Sequence, residues 1–187
     1  MAEILQTNTV YKGWASLSIA TVRGPDGREF ERVVEDHGSA TCVLPYDPVR
    51  RTAILVSQFR APVCVASGET SLAEAIAGLT DGEEPHVAAA REALEEAGLK
   101  LSNLEPAGVA WTMPGVSTER MSLFLAQYAP SDRVAAGGGH AHEHENITVV
   151  EMPLKALADM ADDGTLNDLK TLALVQTLRV RKPALFD

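Results

Sequence analysis

Residues 77–99 read AGLTDGEEPHVAAAREALEEAGL. This stretch is a loop that opens a short helix and stops at a glycine. Pro85 suits the first helical turn and Gly98 the position just past the last one. At about 100° per residue, Val87, Ala90, Leu94 and Ala97 fall on one face, and Glu92, Glu95 and Glu96 fall opposite. Carboxylates beside the negative end of a helix dipole are disfavoured by roughly 0.3–1 kcal/mol each. Glu92 and Glu96 add a like-charge pair four residues apart. Such a cluster calls for a compensating cation, and a hard divalent ion prefers oxygen ligands. A solvated glutamate face is the plain alternative.

Outward from this helix the pattern is α+β. Trp14 to Val22 alternates apolar and polar residues as a strand does, Gly24-Pro25-Asp26-Gly27 is a turn, and Phe30 to Asp36 returns as the hairpin partner. Ala40 to Leu44 and Thr52 to Phe59 read as strands joined through Asp47-Pro48. Leu104 to Thr112 and Met121 to Tyr128 read as strands around Met113-Pro114-Gly115-Val116, and Ile147 to Met152 as a late strand. Pro153 to Asp162 and Asn167 to Arg179 read as helices. There is no internal repeat. The single low-complexity piece, Ala135 to His144, holds three glycines and three histidines.

Composition bounds the chemistry. The chain has 187 residues, enough for one domain with a proper core. Its net charge of −10 repels phosphate backbones, so nucleic acid is excluded as a partner while a small phosphorylated ligand is not. No apolar run approaches a membrane span, and MAEILQTNTVYKGW has neither the basic start nor the apolar centre of a signal peptide. Cys42 and Cys64 lack a metal-binding spacing and read as free thiols of a cytoplasmic protein. His140, His142 and His144 carry rings suited to a transition metal, but alternation alone does not gather three rings about one ion. A metal-handling protein is the reading they would support.

Glu83, Arg91-Glu92, Glu95-Glu96 and Gly98-Leu99 together resemble the Nudix box, G-x5-E-x7-R-E-U-x-E-E-x-G-U, with U aliphatic. Two positions depart from it: four residues separate Gly78 from Glu83, and Ala93 fills the aliphatic position after Glu92. Beyond the box, Val56 to Arg60, Pro114-Gly115 through Thr118-Glu119, Gly137-Gly138-Gly139, Glu145-Asn146-Ile147 and Asp168 to Thr171 resemble the nucleoside-diphosphate-sugar branch of the family. That branch takes in ADP-ribose pyrophosphatases and bacterial GDP-mannose hydrolases, and the latter share the shortened loop.

The resemblance implies a Nudix fold, a mixed sheet sandwiched between helices in an α/β/α arrangement. Residues 1–39 would form an N-terminal β-hairpin region serving dimerisation, and residues 40–187 the Nudix domain. It implies a Mg²⁺-dependent hydrolase, with Mn²⁺ as a possible substitute, that cuts a nucleotide sugar into a nucleoside monophosphate and a sugar phosphate. Glu92, Glu96 and the backbone carbonyl of Ala77 would hold the metal. Glu95 would assist, and Arg91 would orient a box carboxylate, with Glu83 as the candidate. Glu145 would complete the metal site or act on the attacking water, with Glu143 as the competing choice because the loop is about two residues longer than usual. The three glycines suit a mobile lid.

Gly78 and Leu79 would line the substrate site. Arg60 would meet the diphosphate, Glu119 a ribose or sugar hydroxyl, Lys170 a phosphate or the sugar, and Trp14 the base. A surface ion-pair partner is the plain alternative for Arg60, and a core or dimer-interface residue the alternative for Trp14. Of the basic stretch that GDP-mannose hydrolases bring from the hairpin, Glu31-Arg32-Val33 keeps only Arg32. A homodimer is expected. A non-catalytic nucleotide-binding module with the same fold is the alternative, set against the intact set of box carboxylates.

Overall fold

The structure is a computed structural model describing residues 1–139 and 146–187. His140, His142, Glu143, His144 and Glu145 lie outside the described residues. The chain divides into two compact units, residues 1–40 with 109–121, and residues 41–108 with 122–187.

The first unit carries a three-stranded antiparallel sheet in the order β1 (Glu3–Lys12), β2 (Ser16–Arg23), β3 (Glu29–Asp36). The β2–β3 hairpin closes where the turn residues predict. Gly24 donates its amide to the Arg28 carbonyl at 2.8 Å, and Asp26 accepts from the Arg28 amide at 3.1 Å. Strand β1 is absent from the sequence reading. EILQTNTVYK shows no alternation of apolar and polar residues, and the strand is exposed along its whole length, so burial left no periodic trace in it.

The second unit is built on a seven-stranded sheet. Its main path runs β10 (Thr148–Pro153), β5 (Thr52–Gln58), β4 (Ala40–Asp47), β9 (Arg120–Gln127), β8 (Leu104–Trp111). Two short strands join it, β6 (Leu72–Glu74) on β5 and β7 (Ile76–Leu79) on β4. Every residue of β4 is buried, as a central strand requires. Asp47 turns the chain into β5 by accepting the amides of Val49 and Arg50 at 2.8 and 3.0 Å. The helices are α1 (Ala61–Ser67), α2 (Pro85–Ala97), α3 (Leu154–Asp163) and α4 (Leu169–Arg181). Asp168 caps α4, accepting the Thr171 amide at 3.0 Å. The α+β class and the helix-bearing sheet agree with the expectation.

Two local expectations need correcting. Helix α1 was not foreseen. It has no buried residue and hence no apolar stripe, although a proline in its first turn and Gly68 past its end are the signals that could have marked it. The buried face of α2 is also not the one expected. Val87 and Leu94 are exposed, whereas Ala88, Ala89, Ala93, Ala97 and Glu96 are buried. Ala89, Ala93 and Ala97 recur every four residues, and their methyls let the helix lie close on the core with Val43, Ile54, Val56, Ile76 and Phe124. Side-chain size along the helix therefore misleads, and the narrow alanine stripe decides the face. Glu92 and Glu96 follow Ala89 and Ala93 by three residues, so they flank that stripe instead of opposing it.

Cys42 is buried and Cys64 half-buried, and both are free. Burial pushes the Cys42 thiol well above its ordinary range, so it stays protonated and inert. Among the described residues, no helix is long and apolar enough to cross a membrane. Tyr46 is buried in β4, and its hydroxyl has no hydrogen-bond partner among the described residues. Tyr46→Phe is expected to raise stability by about 1 kcal/mol, because an unmade buried hydrogen bond is removed with little loss of volume. A higher urea midpoint at unchanged m-value would show it.

Candidate active site

Strand β7 delivers Ala77 and Gly78, and α2 returns over them with the glutamates. The loop between turns tightly: Glu83 donates its amide to the Thr80 carbonyl at 2.8 Å. Helix α2 ends at Gly98, whose left-handed φ of 68° closes the cap with its amide on the Leu94 carbonyl at 3.0 Å. Gly138 and Gly139 then donate their amides to the carbonyls of Glu96 and Glu95, at 2.9 and 3.1 Å. These glycines satisfy carbonyls the helix leaves open and oppose its negative end. That part of the glycine-rich segment is a cap on the box helix, a role the lid reading does not provide.

The carboxylates have a cation among them, and it is Arg91. Its guanidinium donates to Glu83 at 2.9 Å, Glu92 at 2.8 Å and Glu95 at 2.9 Å, and to the Leu79 carbonyl at 3.2 Å. Burial alone would lower the Arg91 pKa, but its carboxylate partners outweigh burial and raise it further. A large part of the compensating charge inferred from the sequence is thus supplied by the box itself.

Glu96 is not among those partners. It is 2% exposed, and one carboxylate oxygen takes the Ala77 amide at 3.4 Å. Glu92 lies against the neighbouring residue: a Cβ on Gly78 would fall 2.0 Å from Glu92 Oε1. A side chain there would push the Glu92 carboxylate aside, so glycine lets that carboxylate lie against the backbone. Among the described residues no three acidic, histidine or cysteine side chains already enclose a metal position. The donors nevertheless fit a hard cation. Two carboxylates, one nearly fully buried, meet the backbone of Ala77 and Gly78, so every available ligand atom is oxygen. Glu92, Glu96 and the Ala77 carbonyl are the residues that could hold a divalent cation.

A second polar network was not anticipated as a unit. Arg60 binds Glu74 through two nitrogens, at 2.7 and 3.2 Å, and Lys170 binds the same carboxylate. Lys170 also reaches Asp168 at 2.9 Å, and the Thr171 hydroxyl, bonded to Asp168, takes the Ala75 amide at 2.6 Å. Glu74 is buried at 2% exposure. Burial would lower both cationic pKa values, but Glu74 raises that of Arg60, and Asp168 with Glu74 raises that of Lys170. The structure therefore brings Arg60 and Lys170 together on one carboxylate three residues before Ala77. Glu74 and Asp168 were the missing members, and their signal was an acidic residue inside an apolar strand and one at a helix start.

Trp14, Arg32 and Glu119 belong to the first unit. Trp14 is 78% exposed and stacks on His37, with centroids 5.1 Å apart and planes 16° from parallel. Arg32 is exposed, with its guanidinium 4.4 Å from the Phe30 ring centroid. Glu119 pairs with His37 at 3.2 Å and accepts the Thr112 hydroxyl at 3.0 Å. His37 itself was not singled out in the sequence.

Comparison with known proteins agrees with this geometry. Residues 36–175 match the NUDIX domain. A GDP-mannose pyrophosphatase of Cronobacter sakazakii is 37% identical over 152 residues, which are 81% of this chain and 78% of that one. One of Pectobacterium atrosepticum is 39% identical over 151 residues, 80% and 77% of the two chains. A crystal structure of an ADP compounds hydrolase superposes with a TM-score of 0.75 at 21% identity, covering 98% of this chain and 95% of that one, a likeness of fold. Since the domain match takes in the whole box and most of the sheet that carries it, this chain belongs to the Nudix family.

Proposed function

We propose that this protein is a divalent-metal-dependent hydrolase that cleaves the diphosphate of a nucleoside diphosphate sugar into a nucleoside monophosphate and a sugar phosphate. GDP-mannose and ADP-ribose are the first substrates to test. The observation that carries the reading is the pair of carboxylates, Glu92 and Glu96, held against the backbone of Ala77 and Gly78. Relatives at 37–39% identity that are GDP-mannose pyrophosphatases support the substrate class.

Mg²⁺, or Mn²⁺ in its place, would supply neutralisation of phosphate oxygens and a more acidic water. The chain's own residues do the rest. Arg91 orients Glu92 and Glu95, and Glu83 fixes Arg91 in turn. Glu96, anchored on the Ala77 amide, presents a carboxylate that loses little rotameric freedom when it binds an ion. Glu145 takes the proton from the attacking water or completes the ligand set; it lies outside the described residues and is assigned from its place before β10. In the substrate site, Arg60 and Lys170 meet the diphosphate beside Gly78 and Leu79, Glu119 accepts a sugar hydroxyl, and Trp14 stacks on the base, with Arg32 assisting from the hairpin.

We further propose a cytoplasmic homodimer assembled through the first unit. Ile4, Val10 and Tyr11 of β1 and Val33 of β3 are exposed there, more apolar surface than a lone hairpin sheet tolerates.

The test is a Mg²⁺ assay against a panel of nucleoside diphosphate sugars, ranked by kcat/KM with products identified. A nucleoside monophosphate and a sugar phosphate from a leading substrate are expected. No turnover of any panel member with Mg²⁺ or Mn²⁺ would overturn the reading in favour of a binding module. Because Arg91 already balances much of the glutamate charge, the acidic cluster alone does not decide between the two. Glu145→Gln is expected to lower turnover by about tenfold or more; if Glu143→Gln is the damaging change, the loop register shifts by two residues.

A further inference from the structure

The imidazole of His37 has a place that no assigned role uses. Its Nδ1 lies 2.6 Å from Glu35 Oε1 and its Nε2 lies 3.2 Å from Glu119 Oε2. The side chains of all three are at most one-fifth exposed. One face of the ring is covered by the Trp14 indole. The Nδ1 contact is a hydrogen bond and the Nε2 contact an ion-pair distance, so one ring spans two carboxylates.

The anchor behind His37 is firm. Glu35 accepts the Ser117 hydroxyl at 2.6 Å, its amide donates to Val116 at 2.8 Å, and its carbonyl takes the Thr118 amide at 3.0 Å. Asp36 accepts the Thr118 hydroxyl at 2.8 Å. The end of β3 is thereby zipped to residues 116–118, directly before Glu119. Burial raises the Glu35 pKa, but the hydrogen bonds from Ser117 and His37 outweigh it and hold the carboxyl below its ordinary value. The Thr118 hydroxyl and the Gly38 amide do the same for Asp36. Both groups therefore face His37 as anions at neutral pH. Glu119 spends Oε2 on His37 and Thr112, while its Oε1 takes no hydrogen bond from the described residues.

We infer that His37 is a positioning residue for the nucleoside half of the substrate, fixing the spacing between the Trp14 stacking face and the Glu119 carboxylate through one imidazole ring. This rests on the proposed hydrolysis of a nucleotide sugar with Trp14 and Glu119 as its contacts. One ring sets both groups, so losing it releases the indole and the carboxylate together. Binding suffers and the chemical step, carried by α2, does not. The groups that face the ring are Glu35 and Asp36 at the end of β3, Glu119 before β9, and Trp14 between β1 and β2.

The test uses the full-length protein and the panel substrate with the highest kcat/KM. His37→Gln is expected to raise KM by about tenfold with kcat within about twofold. In a Trp14→Ala/Glu119→Gln background, adding His37→Gln is expected to change KM no further, which a merely structural role would not produce. In a Trp111→Phe background Trp14 is the sole tryptophan, and its emission, quenched by the stacked ring, is expected to brighten in His37→Gln. An active wild type in which His37→Gln leaves KM unchanged, or raises KM equally in both backgrounds, overturns the inference while the hydrolase reading stands. A wild type that turns over no nucleotide sugar removes the hydrolase reading, and the inference with it.

Discussion

Glu96→Gln is expected to abolish most turnover while leaving the protein folded and as stable as the wild type, or more so. The two effects separate because Glu96 is 2% exposed. Keeping a carboxylate charged at such a depth costs free energy of folding, and glutamine has the same shape without the charge. Its amide oxygen can still accept the Ala77 amide that now bonds Glu96 at 3.4 Å. What disappears is the anion that would bind the metal, and with it several kcal/mol of transition-state stabilisation. That corresponds to a loss in kcat of about a hundredfold or more. Steady-state kinetics at saturating Mg²⁺, beside a thermal melt, checks both halves. Near wild-type turnover would remove Glu96 from the metal site, and a collapse of the melt would make it a structural residue.

The second large effect belongs to Glu74. Glu74→Ala leaves Arg60 and the largely buried Lys170 facing each other without the carboxylate that both now bind. Breaking a buried ion pair on one side typically costs about 3–5 kcal/mol, because the remaining charge stays desolvated and unpaired. For a chain of this size that is a fall in Tm of about 10 °C. Asp168 softens the loss for Lys170, which it holds at 2.9 Å, so the low end of that range is the expectation. Calorimetry of Glu74→Ala beside Glu74→Gln measures it, with the glutamine variant between alanine and wild type because it keeps hydrogen bonds and loses only charge. A Glu74→Ala protein as stable as the wild type would mean that solvent reaches this network freely. The network also bears on substrate. A diphosphate arriving at Arg60 and Lys170 meets cations that Glu74 already partners, so the pair can share charge with a ligand but does not present it bare.

The box helix was legible because its punctuation is local. Pro85 starts it and Gly98 ends it, each for a backbone reason that needs no tertiary contact. The β2–β3 hairpin was legible for the same reason, through its Gly-Pro-Asp-Gly turn. Strand β1 and helix α1 were not, because neither buries an apolar face, so selection for burial left no period in their residues. The orientation of α2 was misread for a related cause. Valine and leucine weigh most in a hydrophobic pattern, but the sheet accepts the flat alanine stripe, and Val87 and Leu94 stay exposed. Of the candidate site, Glu92, Glu95 and Glu96 could be proposed from spacing, and Ala77 only from the resemblance to the family. The clasp of Arg91 on three carboxylates could not, since three of the four residues it joins lie four or more positions from it.

By itself the sequence determined the kind of chemistry. The residue types and their intervals specify acidic oxygen donors on a short helix after a glycine-bearing strand, and intervals along a helix translate directly into angles around it. Only the tertiary structure decided which charges answer which. Arg60 and Lys170 meet on Glu74 across as many as 96 residues of chain, and Glu35 with Glu119 encloses His37 across a span of 84. Such pairings depend on where sheet and loop bring distant segments together, and one-dimensional spacing holds no record of that.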